Sequence, residues 1–298
     1  MSIFDKIEKN VRQRSLVPRS AMPALKMAIS HPRYRYQLKR GKKGFARFGD
    51  QYGTNLLFVA GLPKSGTTWL ERMLASIPGF SELMLPEAVA YEQRKGESHS
   101  YDFPRGLRKR FDKALIVLKL HSHGSDSNMA VLHEEALPFV VVYRDLRDVA
   151  VSYVHYVQCT PYHPDNPHFR SLDLKEALHL FARKHLSEYV DWINSWHSRE
   201  KDPLCHAIAY EKMLASPVTE FSKVVEHYGL QLLPSQVKEI VEANSFERLS
   251  GGREAGQSDE KSFFRKAVAG DWKNHFDEAL EKAYATEMDK LKIDTYRS

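Results

Sequence analysis

The residues best suited to chemistry stand together in Gly61-Leu62-Pro63-Lys64-Ser65-Gly66-Thr67-Thr68-Trp69. Small residues make a tight turn, and its backbone N–H groups and the N-terminus of a following helix direct positive partial charge at one point. Lys64 adds a full charge, and Ser65, Thr67 and Thr68 add hydroxyl donors. The stretch therefore reads as an anion cradle. A Walker A loop has the form G-x-x-x-x-G-K-[ST]. Here Gly61 and Gly66 keep the glycine spacing, but Thr67 occupies the lysine position and the lysine has moved inside the loop as Lys64. A lysine at that place meets a 5′-phosphate and its leaving group, and no Mg²⁺ carboxylate pairs with it. The expected anion is a nucleotide with one 5′-phosphate and one group beyond it.

The flanking sequence supplies the elements that hold such a turn. Asn55 to Ala60 is a short apolar run, as a buried strand requires, and Leu70, Met73, Leu74 and Ile77 follow at helical spacing. Two further apolar runs, Ala114–His121 and Pro138–Asp145, read as parallel strands covered on both faces. Ligands collect beyond the C-terminal ends of such strands, so Lys64, His121 and Arg144 should converge on one sheet edge. Leu204–Glu211 is a fourth strand. Asp148–Tyr153 starts a helix, Asp173–Ser198 is a long helix with Asp173 as N-cap and Glu176 three residues on, and helices follow over 217–228, 234–243 and 277–291. Trp192 and Trp196 read as core. Strands alternating with helices predict an α/β, P-loop-like open parallel sheet flanked by helices on both faces.

The 298 residues are ample for a core and contain no apolar run able to span a bilayer and no secretory h-region. Cys159 and Cys205 lack metal-ligand spacing and fit a reduced, cytoplasmic compartment. Charge is uneven. Residues 1–50 hold 13 Lys and Arg against three acids, a net of +10, so the remaining 248 carry −4 of the total +6. This removes the whole-protein argument for a nucleic-acid partner. Residues 1–50 read as a basic N-terminal arm or loosely packed entry segment broken by Pro18, Pro23 and Pro32, with Gly41–Gly44 as an exposed loop. Residues 1–14 have an amphipathic pattern that could lie weakly on an anionic membrane, against the favoured reading of a docked helix with a solvated basic face. Residues 51–298 form one domain. Within it, 79–113 reads as a flap over the site and 250–261 as a flexible loop.

Four separated stretches resemble the cytosolic-type sulfotransferases, which use 3′-phosphoadenosine 5′-phosphosulfate (PAPS). Pro63–Trp69 is similar to the family's 5′-phosphosulfate loop. Tyr143–Tyr153, with Arg144 and Ser152, resembles its 3′-phosphate motif, and Arg265–Lys273 its C-terminal R-K-G-x-x-G-D-W-K motif. Lys119-Leu120-His121 matches the place of the catalytic histidine. The resemblance spans residues 55–275. It implies in-line transfer of a sulfuryl group from PAPS to a hydroxyl or amine of a small acceptor, leaving adenosine 3′,5′-bisphosphate (PAP), with no metal. His121, poised near neutral pH, is the implied base, with His123 as rival. Lys64 stabilises the leaving oxygen, Lys119 the sulfuryl oxygens, and Ser65, Gly66, Thr67 and Thr68 hold the 5′-phosphate. Arg144, Ser152, Arg265, Lys266 and the Ala267 N–H meet the 3′-phosphate, and Ser152 also restrains Lys64. Trp69 and Phe246 supply flat surfaces for adenine, with Tyr210 and Ser245 as polar contacts.

Two positions depart from the pattern. Ala267 replaces a family glycine, which is tolerated provided φ is negative there. Asp277-Glu278 replaces the Thr-Val of the usual dimer motif, so oligomeric state stays open. Residues 81–110, 155–172 and 250–262 are expected to wall the acceptor pocket. Tyr91, Phe103, Tyr153, Tyr156, Tyr162 and Phe169 suggest an apolar or aromatic acceptor. A P-loop kinase or NTPase and a non-catalytic nucleotide-binding module are the alternatives.

Overall fold

The computed structural model describes residues 21–161, 163–257 and 266–293, with 18, 259 and 296. The expectations for residues 1–14, Tyr162 and Arg265 lie outside the described residues.

In chain order the elements are α1 Met22–Phe48, β1 Leu56–Gly61, α2 Thr67–Ala75, β2 Ser81–Leu83, α3 Pro86–Lys95 and α4 Leu107–Arg110. Next come β3 Ile116–Leu120, α5 Asp126–Glu134, β4 Phe139–Tyr143, α6 Leu146–Gln158, α7 Asn166–Phe169, α8 Leu174–Phe181 and α9 Ser187–His197. The last are β5 Cys205–Ala209, α10 Tyr210–Ala215, α11 Pro217–His227, α12 Pro234–Ala243, α13 Phe246–Ser250 and α14 Glu278–Met288.

The five strands form one parallel sheet in the order β2-β3-β1-β4-β5. Strand alternation splits the core into two layers. Leu56, Phe58, Ala60, Ile116, Leu118, Phe139 and Val141 face a layer containing Phe111, Trp192 and Trp196. Leu57, Val59, Val117, Val140 and Val142 face one containing Leu70, Met73, Leu74, Phe221 and Val224. Helices thus cover both faces, as the continuous apolar runs predict. Strand β1 is central and the order of its neighbours reverses there, which opens a crevice at its C-terminal end.

Three expectations fail. Residues 22–48 are not a loosely packed arm but one 27-residue helix, with Pro23 in its first turn and Pro32 inside it. Gly41 and Gly44 are not an exposed loop; both are buried on the side of α1 that meets the sheet. A Cβ at Gly41 would lie 2.6 Å from Ile116 Cδ1, and one at Gly44 would lie 1.8 Å from the Gly79 carbonyl oxygen. Their missing side chains let helix backbone touch strand backbone, and Leu115 N–H donates to Gly41 O at 3.1 Å. Further along, the Met84 N–H donates to Gln37 Oε1 at 3.0 Å. α1 therefore covers the β2 side of the sheet, which would otherwise be an open edge.

The segment 79–113 is likewise no flap. It supplies strand β2 and helix α3, and it sends Phe103, Leu107 and Phe111 into the core. The short strand and irregular spacing hid it from periodicity. In 173–198 the Asp173 capping box forms as expected, but a π-turn over Ala182–Leu186 interrupts the helix. It brings Lys184 and His185 onto Asp165, with His185 Nε2 2.8 Å from the carboxylate. A single residue's insertion of this kind redirects side chains and leaves no composition signal.

Candidate active site

The turn after β1 has the conformation its composition demands. Lys64 has φ 70° and Gly66 φ 86°. Gly66 is required twice, because a Cβ there would also sit 2.5 Å from Tyr210 Cδ2. Ser65 is fully buried and its Oγ has no hydrogen-bond partner, so a buried polar group in the loop is left for an anion to satisfy. Thr67 and Thr68 open α2 and leave its first N–H groups facing the same turn.

Strand β3 delivers the second set. Lys119 pairs with Val59 across the ladder, and its Nζ donates to Thr68 Oγ1 at 3.1 Å and to Glu71 Oε2 at 2.6 Å. Glu71 is nearly buried, and sequence reasoning missed it. The signal was available: Glu71 lies three residues after Thr68, on the face of α2 toward the sheet. His121 Nδ1 is hydrogen-bonded to the Gly61 carbonyl oxygen. A carbonyl only accepts, so Nδ1 carries the proton and Nε2 keeps the lone pair. Burial, and then the charge of Lys119, push the His121 imidazole down to about 4. The expectation of a histidine poised near neutrality is therefore corrected: desolvation outweighs the carbonyl's help.

The strand exit is clamped from the side. The His121 carbonyl accepts from Trp192 Nε1 at 2.8 Å, and the Ser122 carbonyl from Trp196 Nε1 at 3.0 Å. These two tryptophans are core, as expected, and also fix the backbone on either side of Ser122's Cα, just after His121. His99, another residue missed, contacts the same carbonyl through Nδ1 at 3.1 Å, and burial pushes it down to about 3. His123 lies close by, its ring centroid 6.2 Å from that of His99.

After β4, Arg144 is nearly buried and commits two donors to carbonyl groups: Nη1 to Lys64 O at 3.0 Å and Nη2 to Val268 O at 3.2 Å. Its guanidinium also lies 4.3 Å from the Tyr210 ring centroid. Asp148, read from sequence only as a helix start, is 1% exposed and proves central. It accepts from Gly270 N–H at 2.7 Å and Trp272 N–H at 3.0 Å, and stands 3.7 Å from Arg144 Nη2. Lys266 Nζ donates to buried Asp271 at 2.6 Å. The C-terminal motif is thus pinned beside the loop after β1. Ala267 has φ 50°, which overturns the expected negative φ and gives a physical reason for the family's glycine.

Ser152 is half-buried on α6, one turn before Tyr156. Lys64 Nζ lies 4.4 Å from the ring centroid of Tyr156, on the helix that carries Ser152. Among the residues expected to border adenine, Trp69 Nε1 donates to Asn244 O at 2.9 Å, and Trp69 meets Tyr210 edge-on. Ser245 Oγ caps the α13 helix by accepting from Arg248 N–H, and Phe246 lies under the Arg253 guanidinium. Among the aromatics expected to wall an acceptor pocket, Phe103, Tyr153 and Phe169 are instead core residues. Tyr91 and Tyr156 remain partly exposed.

Residues 55–292 match the sulfotransferase domain. The chain belongs to the sulfotransferase family. It is 24% identical to sulfotransferase 1E1 of Cavia porcellus over 76% of this chain and 80% of that one, and 26% identical to sulfotransferase 1A1 of Canis lupus familiaris over 92% and 96%. In fold it is similar to a mouse sulfotransferase complexed with PAP (TM-score 0.60, 20% identity, 86% of this chain and 91% of that one). It is also similar to retinol dehydratase in complex with androsterone and PAP (TM-score 0.58, 18% identity, 86% and 88%). This sulfotransferase is accordingly a PAPS-dependent enzyme, built on the parallel sheet expected from its strand pattern.

Proposed function

We propose that His121 is the base of sulfuryl transfer to a small apolar or aromatic hydroxyl acceptor, and that Lys64 and Lys119 carry the charge stabilisation. One observation carries this reading: the turn after β1, Lys119 near the end of β3 with His121 just past it, and Arg144 after β4 meet at one sheet edge where the strand order reverses. The orphaned Ser65 Oγ supports an anion in the turn. PAPS supplies an activated sulfuryl group when bound.

His121 Nε2 takes the acceptor's proton, since Nδ1 is held by Gly61 O. The acceptor oxygen bonds to sulfur, the bond from sulfur to the 5′-phosphate oxygen breaks, and the electron pair stays on that oxygen. Lys64 offsets the charge gathering there. Lys119 faces the sulfuryl oxygens, with Glu71 holding its Nζ in place. Ser65, Gly66, Thr67 and Thr68 hold the 5′-phosphate. Arg144, Ser152, Lys266 and the Ala267 N–H, with Arg265, form the 3′-phosphate side. Trp69, Tyr210, Ser245 and Phe246 border adenine. Partly exposed Tyr91 and Tyr156 favour an aromatic or apolar acceptor. Cys159 and Cys205, neither of them in a disulfide, support a reduced, cytoplasmic setting. The test is thermal shift with PAP, followed by labelled PAPS and a panel of phenols and apolar alcohols. PAP should raise Tm, and Lys64→Ala and His121→Ala should keep the fold and lose turnover. Near-normal turnover in His121→Ala would move the base to His123.

A further inference from the structure

The sequence has no Asp or Glu between Glu8 and Asp50. Much of that stretch is α1, whose two sides differ sharply. Gln37, Gly41 and Gly44 are buried against the sheet. Arg35, Lys39, Arg40, Lys42, Lys43 and Arg47 are all exposed; at 3.6 residues per turn Arg35, Lys39, Lys42 and Lys43 fall on the opposite side and Arg40 and Arg47 on its flank, over about 18 Å of helix. No acidic side chain pairs with any of the six among the described residues; the ion pairs of α1 are made by Lys26 and Arg33. A cationic face without counter-charges repels itself, and folding does not require it.

The face is also rigidly presented. The contacts at Gly41 and Gly44 are between backbones, so the helix cannot roll without breaking the Leu115–Gly41 hydrogen bond. One large aromatic interrupts the cations: Tyr36, 43% exposed, with the Arg40 guanidinium 6.0 Å from its ring centroid. Cations around an aromatic with a polar tip suit a membrane interface, where the ring sits at headgroup level. Nucleic acid is the other polyanion that Arg and Lys on a helix can meet; the exposed Tyr36, an aromatic body with a polar tip among the cations, favours the lipid interface.

We propose that the outer face of α1 docks this enzyme on an anionic lipid surface. The six cations meet the negative headgroups while Tyr36 enters the interface. The surface is distinct from the nucleotide crevice at the end of β1, so docking leaves that site open.

Co-sedimentation of the full chain with phosphatidylcholine vesicles, with and without about one-third phosphatidylserine, tests it. The protein should pellet only with the anionic vesicles and be released between about 0.1 and 0.5 M salt. Arg35→Glu/Lys39→Glu/Lys43→Glu should weaken binding by more than about a hundredfold, roughly fivefold for each cation removed with repulsion from the new carboxylates added. The control Lys109→Glu/Lys238→Glu/Lys282→Glu removes the same charge elsewhere and should bind as wild type. PAP-induced thermal shift should be unchanged in both. If the first triple variant does not fold, Arg35→Gln/Lys39→Gln/Lys43→Gln replaces it, with a smaller loss. Equal weakening by the control, or full binding by the α1 variant, would overturn the proposal and assign binding to net charge or to another segment. Tighter binding to duplex DNA or RNA than to the anionic vesicles would also overturn it.

Discussion

Replacing Asp148 by Asn should separate the C-terminal motif from the phosphate loop. The buried carboxylate accepts from two backbone N–H groups, Gly270 at 2.7 Å and Trp272 at 3.0 Å, and faces the Arg144 guanidinium at 3.7 Å. Asn keeps one acceptor oxygen, and its NH₂ must then face either a backbone N–H or Arg144. One charge-assisted hydrogen bond is lost, and Arg144, 8% exposed, loses its countercharge. Together these cost about 2–4 kcal/mol. In a domain of this size that lowers Tm by about 3–6 °C. Because Gly270 and Trp272 follow Lys266 and Ala267 so closely, PAP affinity should fall more than the stability loss alone predicts. Thermal melts, calorimetric PAP titration and limited proteolysis of the C-terminal segment measure this. A variant that melts within about 1 °C of wild type and binds PAP normally would show that Asp148 does not hold the motif.

Three more outcomes are expected. Ala267→Gly relieves a left-handed backbone that costs an L-residue about 1–2 kcal/mol, while unfolded-chain freedom returns about 0.4–1 kcal/mol; Tm should rise slightly and PAP should bind tighter, and a drop in both would refute the strain. Gly44→Ala must push α1 off the Gly79 carbonyl, so a loss of about 3 kcal/mol should appear in denaturant melts, whereas a neutral result would contradict the close packing. With His121 held near 4, kcat/KM should stay level from about pH 8 to 6 and fall as pH approaches 4. Stability should fall over the same acidic range: unfolded histidines take up protons below about 6.5, while buried His99, His121 and His163 resist until about 3 to 4. Stability that rises on acidification would reverse the sign.

Much of the fold was legible because its signals are local. Leu56–Gly61, Ile116–Leu120 and Phe139–Tyr143 are uninterrupted apolar runs, and such runs have few alternatives to a strand covered on both sides. The turn with Lys64 and Gly66 announced itself by residue type. What escaped depended on tertiary contacts. Glu71 and Asp148 look like ordinary helix carboxylates until Lys119 and the 270–272 backbone are placed beside them. Gly41 and Gly44 read as loop residues because glycine is a poor helix former, yet here the absent side chain makes close packing possible. Pro32 misled for the same reason: propensity argued for a break, and docking on the sheet prevailed.

Arg144 joins carbonyls at positions 64 and 268, so the two walls of the proposed nucleotide crevice are made some two hundred residues apart in the chain. During synthesis the first wall can form early, but the second emerges only some two hundred residues later. The enzyme should therefore acquire its affinity for nucleotide late and in a single step, and a nascent chain stalled before residue 268 would fold much of its sheet yet ignore PAP.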